Sequence, residues 1–180
     1  MSKLYLAYGS NLNKSQMRYR CPGARPLGKL MLQDACLVFR GVADVMYQPG
    51  ATVPVGVWRI DDYSERALDR YEGVSNGFYV KEYVELSNGQ KALIYLMQAE
   101  GVMPPSEYYA RALVEGYKDF GLPLSYLEAA IKQSWERKDP CPQTQARRAK
   151  QRVSTNHQKL AAALPEELAA KRIERIGKNA

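Results

Sequence analysis

A carboxylate at the end of a helix, where the backbone dipole is negative, is poorly placed for stability, and Glu72 occupies such a place. It falls in the last turn of the helix read over residues 61–72, with Gly73 as the helix stop. The unfavourable dipole, joined by any burial, raises a carboxyl pKa toward neutrality, and a carboxyl that titrates near neutral pH suits general-base work. The second chemical stretch is Tyr8-Gly9-Ser10-Asn11-Leu12, where an apolar strand stops abruptly before a helical pattern. At such a turn several backbone N–H groups lack an intrachain partner and point one way, which favours a carboxylate or an oxyanion. Gly9 lets the backbone approach a ligand closely. Tyrosine supplies most of the aromatic content, 13 Tyr against 3 Phe, and Tyr8, Tyr79 and Tyr109 all fall beside loops or helix starts. A tyrosine can wall a small pocket and still offer a hydroxyl. Ser10 has no histidine nearby to activate it as a nucleophile, because the chain has one histidine, His157.

Composition narrows the field further. The single histidine excludes a His-rich metal site and a His-based triad within residues 1–136. Cys21, Cys36 and Cys141 are odd in number and widely spaced without a C-x-x-C, a usage that points to a reducing cytoplasm rather than to a disulfide frame or a zinc site. Cys36 reads as a small buried hydrophobe. No stretch approaches a membrane span, and Met-Ser-Lys leads into the first strand without a cleavable signal pattern. The net charge of +7 is unevenly placed. Residues 1–136 hold 15 basic and 15 acidic side chains, and residues 137–180 hold 11 and 4. An argument for nucleic-acid binding therefore concerns the tail alone.

The elements that must position these residues can be read in order. A strand over residues 3–7 leads to a short helix over 13–20, capped by Asn11 or Asn13, and broken by Cys21-Pro22-Gly23. Residues 27–40 are extended and 42–46 continue them past Gly41, Gln48-Pro49-Gly50 is a turn, and 53–60 form a strand. The helix over 61–72 puts Ser64, Leu68 and Tyr71 on one buried face. Strands over 79–86 and 91–97 flank Ser87-Asn88-Gly89, a hairpin signal. Pro104-Pro105-Ser106 opens a helix with Tyr109, Ala112, Leu113 and Gly116 on its inner face, and residues 124–135 form its partner. The composition changes past Trp135. We read residues 1–136 as the domain and 137–180 as a basic extension, with 160–176 helical.

Five ordered segments carry a resemblance. They are Tyr8-Gly9-Ser10-Asn11-Leu12, Leu68-Asp69-Arg70-Tyr71-Glu72-Gly73-Val74, Gly77-Phe78-Tyr79-Val80, Pro104-Pro105-Ser106-Glu107-Tyr108-Tyr109 and Gly121-Leu122-Pro123-Leu124-Ser125-Tyr126. In order and spacing they resemble the gamma-glutamylcyclotransferases over residues 3 to 130. The resemblance implies an α+β fold, a small mixed-strand, barrel-like sheet flanked by helices, here followed by the basic C-terminal extension. It implies release of 5-oxoproline from a gamma-glutamyl compound, with no metal and no cofactor. It makes Glu72 the catalytic residue and places Tyr8, Gly9, Ser10, Asn11, Leu12, Tyr79 and Tyr109 at the substrate. The expected partner is this small molecule. The loop N–H groups of residues 9–12 would serve either the oxyanion or the substrate α-carboxylate.

Two other readings stand beside this one. One is a non-catalytic binding module on the same fold. The other gives the tail a role: the cluster Arg147-Arg148-Ala149-Lys150-Gln151-Arg152 would bind nucleic acid, or the apolar positions Leu160, Leu164 and Leu168 would dock on the domain or on a second copy in a homodimer. An acidic leaving group would call for a basic pocket, for which Arg18, Arg40 and Lys81 are the candidates.

Overall fold

The central strand of the sheet is the first one. In the computed structural model, which describes residues 2–136 and the pair Ala162–Ala163, β1 (Lys3–Ala7) lies between two neighbours. It pairs antiparallel with β3 (Ala43–Ile60), Leu6 opposite Val57, and parallel with β5 (Lys91–Met97), Leu4 opposite Ala92. Tyr5, Leu6 and Ala7 are buried in succession, so both faces of β1 are covered, which is why Leu-Tyr-Leu-Ala is apolar without alternation. β4 (Tyr79–Glu85) pairs with β5 through the turn at Asn88–Gly89. β2 (Arg25–Phe39) pairs along most of β3. The strand order is β4-β5-β1-β3-β2, with Ala162–Ala163 (β6) beyond β2. The mixed α+β architecture is the one expected. The pairing is linear: among the described residues β4 and β2 are not hydrogen-bonded to each other.

The long β2–β3 hairpin corrects two local readings. The chain reverses at Gly41, φ +82°, so residues 42–46 run back along β2 and do not continue it. Gln48-Pro49-Gly50 is no reversal but a stretch of β3. It lies across from a register shift between Gln33 and Ala35, where Asp34 adopts φ 53° and its carboxylate accepts the Gly50 N–H at 2.8 Å. The turn-like residues mark a bulge that bends the ribbon. In the tail, Ala162 and Ala163 were expected inside a helix. Their backbone instead pairs antiparallel with Leu32 and Met31. The other tail calls, the basic cluster at 147–152 and the apolar positions Leu160, Leu164 and Leu168, lie outside the described residues. Cys36 is half-buried rather than buried.

Four helices cover the sheet, and their starts are chemically explicit. Asn13 caps α1 (Lys14–Arg20), its Oδ1 accepting the Gln16 N–H at 3.0 Å. Asp61 caps α2 (Asp62–Tyr71) through the Ser64 N–H at 2.7 Å, and Ser106 caps α3 (Glu107–Phe120) through the Tyr109 N–H at 3.3 Å. α4 (Leu124–Trp135) follows Pro123. Ser64 and Leu68 are buried as expected, but Tyr71, at the end of α2, is 49% exposed. No helix among the described residues is long and apolar enough to cross a membrane.

α3 holds the Gly9–Asn13 segment in place by direct backbone contact. A Cβ added at Gly116 would lie 2.6 Å from the Leu12 Cβ and 2.8 Å from the Asn13 nitrogen. Leu12 is fully buried beneath it. In an open helix, glycine to alanine stabilises by about 1 kcal/mol. Here the sign reverses, because the clash is with backbone. Gly116→Ala is expected to lose on the order of 1–3 kcal/mol in urea unfolding, the usual cost of overpacking a closed core.

Candidate active site

α2 ends where β1 ends, and this juxtaposition builds a cavity of about 260 Å³. Its floor comes from β1 and the following turn: Tyr5, Tyr8, Gly9, Ser10 and Asn11. Tyr71 and Glu72 enter from the end of α2, Tyr79 and Tyr95 from the β4–β5 hairpin, and Tyr109 from the first turn of α3. Val42 and Ala43, just past the Gly41 reversal, close the wall. Seven of the eight residues expected at the site therefore surround one space. Leu12 does not: its side chain packs in the core, and its N–H donates to the Gly9 carbonyl at 2.9 Å.

Glu72 caps the C-terminus of α2, and the chain then turns at Gly73 in the left-handed region, φ 64°. A Cβ at Gly73 would also meet the Phe78 ring at 2.6 Å, so glycine is required twice over. The Glu72 Oε1 accepts one hydrogen bond, from Asn11 Nδ2 at 2.7 Å. Burial pushes the Glu72 pKa up to about 7, against the opposing effects of the Asn11 hydrogen bond and the Arg20 charge. The direction agrees with the sequence argument, but removal from water is the dominant cause.

Both ends of the Asn11 amide and its backbone carbonyl are fixed. Its Nδ2 also donates to Tyr5 Oη at 2.8 Å, its Oδ1 accepts from Arg20 Nη1 at 2.7 Å, and its carbonyl accepts from Trp58 Nε1 at 3.0 Å. The Ser10 hydroxyl lies 3.2 Å from Tyr71 Oη and 3.3 Å from Arg20 Nη1, with no base beside it. Tyr8 donates to the Tyr95 carbonyl at 2.5 Å. Tyr79 donates weakly to the Ala43 carbonyl, at 3.4 Å. Tyr109 Oη accepts the Ala43 N–H at 3.1 Å and lies 3.1 Å from where a Gly9 Cβ would sit, so glycine at position 9 makes room for the phenol. Burial raises the pKa of Tyr8, Tyr79 and Tyr109 alike, the last to about 12, so all three remain neutral phenols.

Tyr5, Tyr71, Tyr95 and Arg20 were not singled out from sequence. Tyr71 adjoins Glu72, and that adjacency was the available signal; Tyr5 and Tyr95 sit within strands and look like core. The basic residues considered for an acidic leaving group lie elsewhere. Arg40 pairs with the buried Asp44 at 3.0 Å, Lys81 bridges Glu65 at 3.0 Å and Asp69 at 2.9 Å, and Arg18 is exposed. Among the described residues no cluster of three or more His, Cys, Asp or Glu side chains could hold a metal ion.

One carboxylate that titrates near neutral pH, enclosed by neutral phenols, has the properties that general acid–base work on a small polar substrate requires. The comparisons with known proteins bear on the family. The model of the AIG2-like family matches residues 52–129. Gamma-glutamylcyclotransferase of Homo sapiens is 34% identical over 143 residues, covering 71% of this chain and 76% of the human one. A solved structure of a gamma-glutamyl cyclotransferase superposes with a TM-score of 0.61 at 26% identity over 100% of both chains. A crystal structure of a Homo sapiens protein described as uncharacterized gives 0.62 at 32% identity, over 72% of this chain and 86% of that one. The chain belongs to the gamma-glutamylcyclotransferase family.

The raised pKa of Glu72 makes a prediction about stability. Its folded value of about 7 exceeds the ordinary 4.5, so between these values the folded state holds a proton that the unfolded state has released. Stability contributed by this group is therefore present at low pH and lost as pH rises through 7. Glu72→Gln removes the titration and keeps an acceptor for Asn11. At pH 8 the variant is expected to exceed the wild type by on the order of 3 kcal/mol in denaturant unfolding, and the gap should close near pH 4.

Proposed function

We propose that this protein cyclises the gamma-glutamyl group of its substrate, releasing 5-oxoproline and a free amine or amino acid, with residues 1–136 as the catalytic unit. The observation that carries the reading is Glu72: a carboxylate at the cavity wall, tied through one oxygen to Asn11 and titrating near neutral pH. The substrate's own α-amine attacks its γ-carbonyl and closes a five-membered ring. Because the nucleophile is tethered, the entropic barrier is small once the chain is folded; oriented intramolecular reactions reach effective molarities of about 10⁵ M or more.

Proton management remains. The α-ammonium loses one proton, which passes to solvent, to become nucleophilic. As the new C–N bond forms, the attacking nitrogen must shed a second, and the leaving nitrogen must gain one before its bond to carbon breaks. Glu72 serves both nitrogens, as base and then as acid, which is worth roughly 10²–10⁴-fold. A carboxyl with a pKa of about 7 is suited to both halves of that task.

The negative charge that develops on the carbonyl oxygen needs a donor. Tyr109 Oη already accepts the Ala43 N–H, so its own proton is free to point into the cavity. We assign Tyr109 the oxyanion, and the Gly9–Asn11 turn the substrate's α-carboxylate. No covalent intermediate is needed, in keeping with a Ser10 that has no base.

The test is direct. The protein is incubated with gamma-glutamyl amino acids, glutathione and gamma-glutamylamines, and 5-oxoproline is measured by mass spectrometry. Turnover by the wild type and its loss, by at least 10²-fold, in folded Glu72→Gln are expected; turnover retained in that variant would remove Glu72 from the mechanism. The pH profile of kcat/KM should fall about tenfold per unit below an apparent pKa near 7, because the base must be ionised in the free enzyme. Tyr109→Phe should lower kcat by about 10²–10³-fold, the usual loss for one oxyanion donor.

A further inference from the structure

An amide side chain has a donor end and an acceptor end, and the chemistry assigned to Glu72 depends on which end of Asn11 faces it. As placed, Asn11 donates to Glu72 Oε1 at 2.7 Å and accepts from Arg20 Nη1 at 2.7 Å. Turned over, its oxygen would face the carboxylate and its NH₂ group would face the guanidinium, acceptor against acceptor and donor against donor. Arginine has donors only, so Arg20 selects the orientation.

Arg20 is itself firmly held. Nη2 donates to Gln16 Oε1 at 2.6 Å and to Tyr71 Oη at 2.7 Å, and the guanidinium carbon stands 3.8 Å from the centre of the Tyr71 ring. All its partners are neutral. Among the described residues no carboxylate forms an ion pair with it. A rigidly held arginine without an anion, one amide away from the reacting carboxylate, is more than a surface charge.

We propose that Arg20 is a positioning residue for the reaction. Acting through Asn11, it keeps the amide donor on one oxygen of Glu72 and leaves the other for the substrate nitrogens, without touching the substrate itself. The proposal rests on Glu72 as the proton carrier. Its charge has a second effect. The groups facing Glu72 from the surrounding elements are Tyr5 of β1, Tyr8 after it, Tyr79 of β4, Tyr109 of α3 and Arg20 of α1; the tyrosines stay neutral, and Arg20 favours the ionised carboxylate. Removing that charge raises the pH at which Glu72 becomes a base.

The experiment uses the full chain and the variants Arg20→Gln, Arg20→Lys, Asn11→Ala, Arg20→Gln with Asn11→Ala, and Glu72→Gln. The protonated Glu72 carboxyl is followed across pH by infrared difference spectroscopy against Glu72→Gln, a readout independent of turnover. In parallel, kcat and KM are measured with the gamma-glutamyl compound that the wild type turns over fastest. Arg20→Gln is expected to raise the Glu72 midpoint by about one unit, and to lower kcat about tenfold even at about pH 9, where the base is ionised, with KM within about twofold. In the Asn11→Ala background the same change should lower kcat by less than about twofold, because the route through the amide is already cut. Arg20→Lys keeps the charge but loses the planar fork. It should leave the midpoint near the wild type and still lower kcat, which keeps the proposal testable should Arg20→Gln fail to fold.

A raised KM with unchanged kcat would overturn the proposal and make Arg20 a direct ligand of a substrate anion. Full additivity with Asn11→Ala, wild-type kcat in Arg20→Lys, or an unmoved midpoint in Arg20→Gln would overturn it too. Turnover retained in Glu72→Gln would instead sink the role of Glu72, an outcome read from a different variant.

Discussion

One carboxylate kept from water and, among the described residues, given no cation in direct contact is the constraint around which this protein is arranged. Burial raises the free energy of ionised Glu72, and only a single amide hydrogen bond and a guanidinium one residue removed act against it. The result is a group balanced between its two protonation states near neutral pH. Each neighbouring element contributes to that balance. β1 ends in the turn that carries Asn11, α2 ends at Glu72 itself, the β4–β5 hairpin contributes Tyr79 and Tyr95, and α3 contributes Tyr109. Shifting any of them admits water or a charge, and either would move the carboxyl away from neutrality.

The turn that carries Asn11 is the most heavily supported part of the site. Leu12 anchors it in the core, and α3 presses its backbone onto Leu12 and Asn13 at Gly116. Trp58 of β3 holds the Asn11 carbonyl and stacks edge-on against Phe120 at the end of α3, ring centres 5.3 Å apart. Asn13 faces away from the cavity, with its Nδ2 on Glu115 at 2.8 Å and its Oδ1 capping α1. Within three residues the chain thus supplies a hydrogen-bond donor to the Glu72 carboxylate, a core anchor and a helix cap. The geometry of Asn11 is set by packing on both sides of it, which is what a site needing sub-ångström placement of one amide requires.

How much of this the sequence exposed follows from the range of each interaction. Helix starts were legible because the signal is local: Asn13, Asp61 and Ser106 each cap a helix whose first turn lies within three residues. The strands of the Asn88–Gly89 hairpin were legible for the same reason. The β2–β3 ribbon was misread because its reversal needs only Gly41, while the louder Gln48-Pro49-Gly50 signal answers a bulge across the sheet at Asp34, a partner 16 positions away. In the site, Glu72 stood out as a charge opposed to a helix dipole. Its real perturbation is burial, which depends on tyrosines brought together from β1, β4, β5 and α3 and leaves no local mark. Arg20 escaped notice because a cation in the last turn of a helix is the ordinary choice for stability; its tie to Asn11 exists only once α1 has folded back on the turn before it.

A second buried carboxylate shows what separates a structural acid from a chemical one. Glu65, two turns before Glu72 on the same helix, is buried, and desolvation alone would raise its pKa as it does that of Glu72. Hydrogen bonds from Lys3 and Lys81 more than offset that effect, and its pKa falls below the ordinary value. Lys81 extends the network to Asp69, and Asp69 accepts from Tyr95 Oη at 2.7 Å, so one chain of charges runs along the outer side of α2 to the back of a cavity tyrosine. The same helix therefore carries one glutamate paired with two lysines, fixed in its charged form, and another facing an amide, free to change form. Both are desolvated. The difference lies in the partner: an ammonium in contact holds a carboxylate ionised across the neutral range, whereas a neutral amide orients it and leaves its proton exchangeable. An ammonium does reach Glu72 in the proposed reaction, but it arrives with the substrate. The nitrogen that would stabilise the carboxylate is then the one that must be deprotonated, and the pairing that is permanent at Glu65 becomes, at Glu72, the first step of the chemistry.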